Sequence, residues 1–575
     1  MTERTPDGAP DGRPWTPVPL ARGTHGAVVA PHHLATAAGL DVLRRGGHAV
    51  DAAIATNAML AVVKGDACGL GGDAFWLIWD EARGEQVALN GSGRAAAALS
   101  ATTLRERGLT TMPRRGPLTI TVPGAVRSWA DAHRRYGRLG REAILGAAIE
   151  AARGGFPAWD GYAARVDAAV AMAAAATAAG DAATSTSRAF ETVFRPHGRS
   201  WRAGERVRLP ALADTLEALA RDGFGAAYDG DLGERQARAL HAAGSPIRLD
   251  DLRDHTSTWG APIAIDYRGV RVTTHPPNSS GLVALELIGI LGALPQPPAD
   301  VFGPDGVSDP GWIHAGLEAA KLAIADRDRY LTDPGFRDIP VGALLDPAYL
   351  GELASRIDPR RAATPPAATN PTGGGTAFLG VVDDQGNAVS LIASNYLDFG
   401  SGVVDPGTGI HYQNRGSYFS LAPDHPNVLE PRKRTLHTLL PGMLFRDAGD
   451  GRGPRPWVVC GSMGGDAQPQ IHAELVSALV DGGVDVRTAV AAPRWYVEPR
   501  DHFAPPMDVR LEPRHRPGIA DGLAALGHPL VTTGPFDSDL GHAHAIEFVE
   551  GGPGQPDGSV VAATDPRSHG LPAVW

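Results

Sequence analysis

The segment that most constrains the fold of this chain is a run of three glycines followed by two apolar stretches. Residues 373–375 are the glycines, Thr376 and an apolar stretch to Val382 follow, and a second apolar stretch covers residues 388–394. The polar residues between them, Asp-Asp-Gln-Gly-Asn, are of the types that occupy tight turns. Two apolar stretches of strand length joined by such a turn predict a β-hairpin whose first strand opens with Thr376.

The length of the hairpin loop decides which residue faces Thr376. A three-residue loop pairs Asp383 with Asn387 and places Thr376 opposite Ser394, whereas a two-residue loop places Thr376 opposite Asn395. In both registers a hydroxyl at a strand start has a polar neighbour, and glycine makes the preceding chain flexible. An exposed hairpin without a chemical role has the same pattern, so this segment alone leaves both interpretations open.

The charge balance and the composition exclude several classes of protein. Lys and Arg number 53 against 64 Asp and Glu, a net charge of −11, so the sequence shows no basic footprint for nucleic acid. Two cysteines cannot build a disulfide framework, and the polar start of the chain lacks the apolar core of a secretory signal. No apolar run is long enough to span a bilayer. We therefore expect a cytoplasmic protein that binds neither nucleic acid nor membrane.

The chain begins with a polar segment rich in Pro and Gly, residues 1–24, which we predict to be a disordered leader. Hydrophobic periodicity and glycine stops predict the next elements, and residues 123–354 are mainly helical. The predicted elements are strands at 26–30, 74–79 and 267–274 and helices at 33–45 and 50–63. A Pro- and Thr-rich linker at 358–372 would let a new chain end move away from Thr376.

Four common kinds of reactive site have little support in the sequence. The glycine-rich turn 68–73 lies between a helix and a strand and lacks a following Gly-Lys-Ser/Thr, so tight backbone packing explains it better than phosphate binding. His542 and His544 share a strand face without a third metal ligand nearby, and no Gly-x-Ser-x-Gly nucleophile elbow occurs. Cys68 and Cys460 have no adjacent basic partner, which favours inert packing.

One nucleophile needs no base beside it in the sequence, because a threonine at a chain N-terminus uses its own α-amine. The reference pKa of that amine is about 7.7–8.0, which suits a general base near neutrality. Thr376 qualifies if the bond between Gly375 and Thr376 is cut. Gly375 has no side chain to hinder attack on its carbonyl by the Thr376 hydroxyl, so self-cleavage by an N-to-O acyl shift is sterically feasible.

Two other segments offer groups that such a reaction needs. A strand ending at Cys460 runs into the turn Gly-Ser-Met-Gly-Gly at 461–465, and a helix begins near Gln468. Unpaired backbone N–H groups at the start of that helix suit a developing oxyanion. Arg94 follows a predicted strand and is a candidate clamp for a carboxylate, because its planar guanidinium matches one bidentately. A surface arginine fits the local sequence equally well.

Together these segments resemble the γ-glutamyltransferase (γ-glutamyltranspeptidase) family of N-terminal nucleophile hydrolases, from about Gly23 to Trp575. The resemblance rests on motifs that follow one another along the chain. They are Gly-Gly-His-Ala-Val-Asp-Ala-Ala at 46–53, Gly-Leu-Gly-Gly at 69–72, Val-Pro-Gly at 122–124, Pro-Asn-Ser-Ser-Gly at 277–281, Glu-Ala-Ala-Lys-Leu-Ala at 318–323, Asp-Arg at 326–327, Asp-Asp-Gln-Gly-Asn-Ala-Val at 383–389, Phe-Gly-Ser-Gly at 399–402, Gly-Ser-Met-Gly-Gly at 461–465 and Asp-Pro-Arg at 565–567.

The resemblance implies an α/β fold of the α+β kind, a four-layer αββα sandwich with two sheets between two layers of helices. It also implies a proenzyme that cuts itself before the catalytic threonine. The large-subunit region would be 25–375 after the leader, the small subunit would be 376–575, and both would form one sandwich. The family implies no metal and no organic cofactor.

The catalytic residues follow from the resemblance position by position. Thr376 matches the family's nucleophile, and Gly375 with Thr376 forms the processing site. Gly464 and Gly465 match the glycines of the oxyanion hole. Ser394 matches a hydroxyl that supports the nucleophile, in agreement with the three-residue loop.

The substrate-binding positions are where this chain departs from the family. The family's Asn-Asn-Gln run precedes an acidic residue that holds a substrate amine, and this chain has Arg415 and Tyr418 at the decisive places. His437 and Thr438 replace paired serines, and the family's carboxylate-binding arginine aligns with a serine two residues before Arg94. Arg415 favours an anion over an ammonium group. The residues predicted to shape the acyl pocket are Arg94, Asn395, Arg415, Tyr418, His437 and Thr438.

The resulting hypothesis is a self-processing threonine amidase or acyltransferase that cleaves or transfers a γ-glutamyl-type acyl group through an acyl-Thr376 intermediate. A first alternative is an amidase of the same mechanism that acts on a small acidic amide, such as an oxamate, glutaryl or cephalosporin-type group. A second alternative is an unprocessed binding protein that keeps the fold without catalysis. The expected partners are a small-molecule amide and the two fragments of one proenzyme, and the oligomeric state is left open.

Overall fold

The computed structural model describes residues 20–178, 184–363, 375–447, 449, 451, 453–501 and 504–575. Two seven-stranded sheets stack face to face, and helices cover the outer face of each. Apolar side chains of both sheets fill the space between them. The structure confirms the four-layer αββα sandwich that the resemblance implied.

The first sheet, called sheet I, is antiparallel throughout and has the predicted hairpin at its centre. Strands from before and after residue 375 are interleaved, so both predicted fragments build one sheet. In order across sheet I, the strands are Ala573–Val574, Ala27–Val29, Gly375–Val382, Ala388–Tyr396, Asp73–Asp80, Glu85–Gly91 and Thr258–Gly260.

The second sheet, called sheet II, is also antiparallel and carries the glycine turn at 461–465 at the end of its central strand. In order across sheet II, the strands are Leu20–Gly23, Ser559–Thr564, Ala543–Val549, Pro454–Ser462, Gly442–Asp447, Val270–Thr274 and Ile263–Tyr267.

The hairpin of sheet I has the three-residue loop. The Asp383 N–H donates to the Asn387 carbonyl at 3.0 Å, and Thr376 pairs with Ser394. The Asp383 carboxylate accepts a hydrogen bond from the N–H of Ala49, which fixes the loop against the start of a helix. Every residue of the two strands is buried, so the hairpin is a core element and not an exposed one.

The two faces of the hairpin serve different layers, as the two-residue period of a strand requires. The odd-numbered residues from 377 to 381 pack against helices. Phe378 and Ile392 point the other way and pack with Leu439 in the space between the sheets. Thr376 and Ser394 are in phase with Phe378 and Ile392, so both hydroxyls face the gap between sheet I and sheet II.

The helices form two outer layers, and one helix is buried on every side. The helix Ala49–Val63 has no exposed residue, as its run of alanine and branched residues predicts. The helices on sheet I are His33–Arg44, Ala49–Val63, Ala125–Tyr136, Arg141–Gly154, Tyr162–Ala178, Thr184–Phe194 and Pro210–Asp222. Those on sheet II are Gly281–Ala293, Pro310–Tyr330, Pro347–Ser355, Gln468–Val480 and Val486–Ala491.

Shorter elements occupy the connections. The helices are Ala101–Glu106, Gly230–Ala242, Leu249–Arg253, Val341–Leu344 and Ile519–Ala525. The 3-10 helices are Pro117–Thr119, Phe224–Ala227, Ala299–Val301, Arg415–Tyr418, Gly465–Ala467 and Ser538–Leu540. The strands are Phe156–Pro157 with Arg206–Val207, Phe302–Gly303 with Gly306–Val307, Val404–Asp405 with Ile410–His411, and a sheet of Trp495–Asp501, Ala504–Leu511 and Leu530–Thr532.

The predicted strand at 267–274 is wrong in one respect, because the structure has two strands there. Arg268 and Gly269 adopt left-handed backbone angles, with φ of 52° and 82°, and reverse the chain direction. Tyr267 consequently pairs with Val270, and the segment is a hairpin at the edge of sheet II.

The predicted leader is also too long at its C-terminal end. Leu20–Gly23 pairs with Ser559–Thr564 as an edge strand of sheet II, a partner that no local pattern could indicate. Residues 1–19 and the part of the predicted linker from 364 onward lie outside the described residues. No helix in the described ranges is long and apolar enough to cross a membrane, and the cytoplasmic location stays a prediction.

Candidate active site

The hydroxyls of Thr376 and Ser394 meet across the hairpin. Thr376 Oγ1 donates a hydrogen bond to Ser394 Oγ at 3.1 Å, and Ser394 Oγ donates to the Gly375 carbonyl oxygen at 2.7 Å. Both side chains are buried, with exposed fractions of 3% and 1%. Ser394 therefore bridges the candidate nucleophile and the carbonyl that this nucleophile would attack in self-cleavage.

A β-bulge lies opposite Gly375. Thr376 pairs with Ser394 but Gly375 pairs with Tyr396, which leaves Asn395 unpaired between them. Tyr396 has a φ of 75°, in the left-handed region that residues other than glycine rarely adopt. This conformation directs the Tyr396 N–H onto Ser394 Oγ at 2.7 Å. Bulges next to active sites re-aim groups in this way, and here the bulge supplies a backbone donor to the serine.

A buried arginine reaches the same serine. Arg415 is 1% exposed, its Nη2 donates to Ser394 Oγ at 3.3 Å, and its Nη1 donates to Thr438 Oγ1 at 3.1 Å. The guanidinium carbon lies 4.5 Å from the centre of the Tyr396 ring and 5.4 Å from that of Tyr418. Among the described residues Arg415 forms no ion pair with a carboxylate, so its positive charge is available to an anion beside the nucleophile.

Two buried amides hold the backbone from which Arg415 enters the site. The Gln413 side chain donates to the Thr121 carbonyl at 3.1 Å and accepts a hydrogen bond from the N–H of Arg415. The Asn414 side chain accepts from the Leu397 N–H at 3.1 Å. The Gln-Asn pair is thus structural, and it fixes the direction in which the arginine points.

Tyr418 connects the arginine-bearing segment to the glycine turn of sheet II. Its hydroxyl donates to Asp466 Oδ2 at 2.9 Å, and Asp466 Oδ1 pairs with Arg327 Nη1 at 3.0 Å. Burial raises the pKa of Tyr418 well above its usual value, with the Asp466 charge adding to the effect, so the phenol stays protonated and remains a donor. Asp466 directly follows Gly465, and the two segments are therefore tied together.

The glycine turn presents two backbone donors. Gly464 has a φ of 145°, and a β-carbon on it would lie 2.8 Å from Ile471 Cδ1, so this position requires glycine. Within the described part of the chain the N–H groups of Gly464 and Gly465 donate to no backbone carbonyl. The strand Pro454–Ser462 and the helix Gln468–Val480 flank the turn as predicted. Such amides suit an oxyanion.

Packing between the sheets brings this turn to Thr376. A β-carbon on Gly380 would lie 3.4 Å from Val459 Cγ1, and one on Gly461 would lie 2.3 Å from Phe378 Cδ2. The facing strands therefore run in opposite directions, and one further step along them places Thr376 beside residue 463. The oxyanion candidates lie at the nucleophile's end of the gap between the sheets.

His437 forms a buried pair with Asp73. His437 Nε2 lies 3.1 Å from Asp73 Oδ2, and the Leu439 N–H donates to His437 Nδ1 at 3.3 Å. The imidazole nitrogen that accepts carries no proton, so the neutral ring donates from Nε2 to the carboxylate. Burial, with Arg415 adding its charge, lowers the pKa of His437 well below its usual value. Burial raises the pKa of Asp73 to about 7, against the opposing charge of Arg415.

The segment at 277–281 braces these two pocket positions. The His437 N–H donates to the Asn278 carbonyl at 2.8 Å, and the Ser280 N–H donates to the His437 carbonyl at 2.7 Å. Ser280 Oγ donates to the Thr438 carbonyl at 3.1 Å. The Pro-Asn-Ser-Ser-Gly motif therefore holds the backbone of residues 437 and 438 in place.

Two of the predicted pocket residues lie away from Thr376, Ser394 and Arg415. Arg94 is half-buried, and its Nη1 reaches the Thr256 carbonyl at 3.5 Å rather than the hydroxyls of the site. The side chain of Asn395 points to the other face of sheet I, where a β-carbon on Gly72 would lie 2.4 Å from its Oδ1. Their predicted part in the acyl pocket therefore stays a prediction.

The sequence analysis missed Asp73, Tyr396 and Asp466. Asp73 lies opposite Ser394 on the next strand, so Thr376, Ser394 and Asp73 form a row across three strands. A signal was present, because Asp73 ends the glycine turn at 68–73, which sequence reasoning interprets only as backbone packing. An acidic residue that opens a buried strand is a reason to look for a partner.

A second cluster, outside the site, has the residue types of a metal centre. His314, Glu318 and His528 bring possible ligand atoms within 4.8 Å of one another. However, Lys321 Nζ pairs with Glu318 Oε1 at 2.6 Å, and His314 Nδ1 and His528 Nε2 lie 2.8 Å apart as hydrogen-bond partners. Glu318 Oε2 also accepts from the Ala363 N–H at 3.1 Å. Through these contacts the cluster holds Ala363, which lies in the chain that leads to the predicted cleavage site.

The αββα sandwich is the fold of the N-terminal nucleophile hydrolase class. In this chain a buried threonine opens the central hairpin, hydrogen-bonded to a serine hydroxyl. The chain belongs to the gamma-glutamyltranspeptidase family, whose model matches residues 35–575. It is therefore an enzyme of the hydrolase and acyltransferase type that is made as a proenzyme.

Relatives with different names cover almost the whole chain. The chain is 37% identical to the glutathione hydrolase-like YwrD proenzyme of Bacillus subtilis, with 95% of this chain and 98% of the relative covered. It is 39% identical to the oxamate amidohydrolase proenzyme of Klebsiella pneumoniae, with 96% and 99% covered. The crystal structure of a cephalosporin acylase from Bacillus halodurans matches with a TM-score of 0.85 and 34% identity, covering 99% of each chain.

Proposed function

We propose that the chain cuts itself between Gly375 and Thr376 and then hydrolyses amides whose acyl group carries a carboxylate close to the scissile carbonyl. The observation that carries the substrate class is Arg415, a buried guanidinium beside Ser394 that forms no ion pair among the described residues. A buried cation is costly unless an anion compensates it, so a substrate carboxylate is its natural partner.

The chemistry follows from the groups around Thr376. Cleavage frees the α-amine of Thr376, which then takes the proton of its own hydroxyl while Oγ1 attacks the amide carbonyl. The N–H groups of Gly464 and Gly465 receive the negative charge that develops on the carbonyl oxygen. The carbon–nitrogen bond of the substrate then breaks as the α-ammonium group of Thr376 gives its proton to the leaving amine. The acyl group is held as an ester on Thr376 until water releases the acid. Ser394 orients the nucleophile throughout.

The distance between nucleophile and cation favours a short acyl group. Thr376 Oγ1 and Arg415 Nη2 both contact Ser394 Oγ, at 3.1 and 3.3 Å, so they are no further apart than the sum of these two distances. A carboxylate joined directly to the scissile carbonyl, or separated from it by one or two carbons, would span such a distance. The name of the Klebsiella relative, an oxamate amidohydrolase, supports this class.

A γ-glutamyl amide is the second candidate, and Asp73 is the observation that favours it. This buried carboxylate lies in register with Ser394 and could receive a substrate ammonium group. However, Asp73 already accepts hydrogen bonds from the Gly93 N–H at 3.0 Å and from His437 at 3.1 Å. Each of its two oxygens already accepts a hydrogen bond, so we rank the γ-glutamyl group below the short acidic acyl group.

A substrate panel tests the proposal with purified protein that has matured. The panel contains oxamate, the half-amides of malonate, succinate and glutarate, a γ-glutamyl anilide, and neutral oxamide. We expect the highest kcat/KM with the short anionic amides. Neutral oxamide should be about 10- to 100-fold poorer than oxamate, the range for one hydrogen bond to a charged group.

The variant Arg415→Met tests whether the arginine causes this preference. We expect kcat/KM for oxamate to fall to the level of oxamide, with little change for oxamide itself. A preference for the γ-glutamyl anilide in the wild type would favour the second candidate. A wild-type chain that stays at full length under denaturing electrophoresis, without turning over any amide, would favour the non-catalytic binding protein.

A further inference from the structure

We propose that Arg415 is also a positioning residue for self-cleavage, acting through Ser394 on the Gly375 carbonyl before any substrate is bound. The inference rests on the proposed cleavage between Gly375 and Thr376. It gives the arginine an earlier task in the same site, in addition to holding a substrate carboxylate.

The first step of the argument is the set of hydrogen bonds on one oxygen. Ser394 Oγ donates to the Gly375 carbonyl at 2.7 Å and is approached by Thr376 Oγ1 at 3.1 Å, by the Tyr396 N–H at 2.7 Å and by Arg415 Nη2 at 3.3 Å. A serine hydroxyl has one proton and two lone pairs, so the short Tyr396 N–H contact takes one lone pair and the two longer contacts, from Thr376 and Arg415, share the other. Because the carbonyl oxygen can only accept, the single proton of Ser394 points at the bond to be cut.

The second step is the effect of these donors on that proton. Hydrogen-bond chains polarise one another, so a hydroxyl that accepts from strong donors is itself a stronger donor. Arg415 is the charged donor of the set, and it is buried, where electrostatic interactions are strong. The guanidinium and the Tyr396 N–H therefore increase the pull of Ser394 on the Gly375 carbonyl oxygen.

The third step is the reaction itself. Thr376 Oγ1 forms a bond to the Gly375 carbonyl carbon, its proton passes to Ser394 Oγ, and the proton of Ser394 passes to the carbonyl oxygen. The carbon–nitrogen bond then breaks, and the proton on that oxygen moves to the Thr376 nitrogen. An ester between Gly375 and Thr376 and a free α-amine result, and water hydrolyses the ester. Negative charge develops on the carbonyl oxygen during attack, and the donors to Ser394 stabilise it through the hydrogen bond that Ser394 makes to that oxygen.

The bulge fixes the two helping donors in one place. The left-handed Tyr396 directs its N–H to Ser394, and its ring lies 4.5 Å from the Arg415 guanidinium carbon. Thr438 Oγ1 holds the other end of the guanidinium at 3.1 Å. The arginine is therefore already in position in the uncut chain and needs no substrate to order it.

The experiment measures how fast the freshly purified full-length chain, with Thr376 unchanged, is cut into two fragments. Denaturing electrophoresis and intact mass follow the conversion. We expect Arg415→Met to convert about 10- to 100-fold more slowly than the wild type, because one charged hydrogen bond to the activating serine is lost. Arg415→Lys keeps the charge and should recover part of the rate. A near-ultraviolet circular dichroism spectrum and a thermal unfolding curve show whether each variant is folded.

Hydroxylamine identifies the step, because it cleaves an ester quickly and an amide slowly. If Arg415 assists the acyl shift, hydroxylamine leaves the slow Arg415→Met conversion unchanged, since little ester forms. Arg434→Met is the matched control: Arg434 is also buried but bonds to the Ser92 and Thr256 carbonyls, and we expect it to mature at the wild-type rate.

The remaining outcomes separate this inference from the proposed function. Wild-type rates of maturation in Arg415→Met, together with lost turnover of oxamate, would overturn the inference and leave the proposed function standing. Full rescue by hydroxylamine would also overturn it, because the arginine would then act after the acyl shift. A wild-type chain that is never cut before Thr376 would overturn both.

Discussion

Gly375 packs so closely against Asp66 that a β-carbon on the glycine would lie 2.3 Å from the Asp66 carbonyl oxygen. The same β-carbon would lie 3.0 Å from Ala67 Cα and 3.2 Å from Asp398 Oδ1. Two of these neighbours are backbone atoms, which cannot turn aside as a flexible side chain could. The residue before the proposed scissile bond must therefore be glycine if its carbonyl oxygen is to keep the hydrogen bond from Ser394 Oγ.

Gly375→Ala should slow self-cleavage about tenfold or more, because overpacking of this size moves the scissile carbonyl from its donor. The measurement is the fraction of full-length chain against time after purification. Gly351→Ala is the matched control, since Gly351 lies in the helix Pro347–Ser355 and a β-carbon on it meets nothing within 4 Å. The control should mature normally, and equal rates for both variants would contradict the steric argument.

Thr376→Ala should give only the full-length chain, because neither the acyl shift nor an acyl-enzyme can form without the hydroxyl. Thr376→Ser keeps a hydroxyl at the same strand position and should still be cut, and intact mass should show a small fragment that begins with the introduced serine. Two bands from Thr376→Ala, with the same cleavage position as in the wild type, would show that another protein makes the cut.

The local features of this site could be predicted from sequence, because each depends on residues close together in the chain. The hairpin depends on two apolar stretches around a polar turn, and the turn at 461–465 depends on glycines between a strand and a helix. The local pattern left two hairpin registers open, and the resemblance favoured the one that pairs Thr376 with Ser394. Turn chemistry and apolar periodicity are local signals. The fold class needed the resemblance as well, since no local pattern specifies how two sheets stack.

The features that were missed depend on residues far apart in the chain. Asp73 and His437 form their pair over a separation of 364 residues, and the strand Leu20–Gly23 finds its partner near the other end of the chain. The bulge at Tyr396 arises where the register shifts beside Gly375. A tyrosine in the sequence does not indicate the left-handed backbone that the structure shows there. Tertiary packing decides such contacts, and periodicity in one segment cannot report them.

Ser394→Ala should mature slowly, and in the fraction that does mature kcat should be about 10- to 100-fold lower, because the Thr376 hydroxyl loses its partner in a buried site. Steady-state kinetics with oxamate measures the effect. Ser394→Thr restores the hydroxyl and should recover most of the rate. A KM change without a kcat change in Ser394→Ala would contradict the orienting role, since orientation of a nucleophile acts on the chemical step.

Asp73 should make the affinity for an anionic substrate depend on pH. Burial raises its pKa to about 7, so the carboxyl is mostly neutral below that pH and mostly charged above it. The charged form offsets the positive potential of Arg415, and His437 stays neutral throughout because its pKa is lowered. We therefore expect KM for oxamate to rise about tenfold as the pH increases from 6 to 8, the size of one partly screened charge interaction.

The pH profile of Asp73→Asn is the decisive comparison. Asparagine keeps the shape and stays uncharged, so KM for oxamate should stay low and flat from pH 6 to 8. We also expect kcat to rise with pH as the α-amine of Thr376 loses its proton, since the reference pKa of such an amine is about 7.7–8.0. This rise of kcat should be the same in Asp73→Asn. Asp80→Asn, on the same strand but at its partly exposed end, should keep the wild-type KM profile. A flat wild-type KM would show that the Asp73 charge does not act on the substrate anion, because the titrating group and the guanidinium would then be uncoupled.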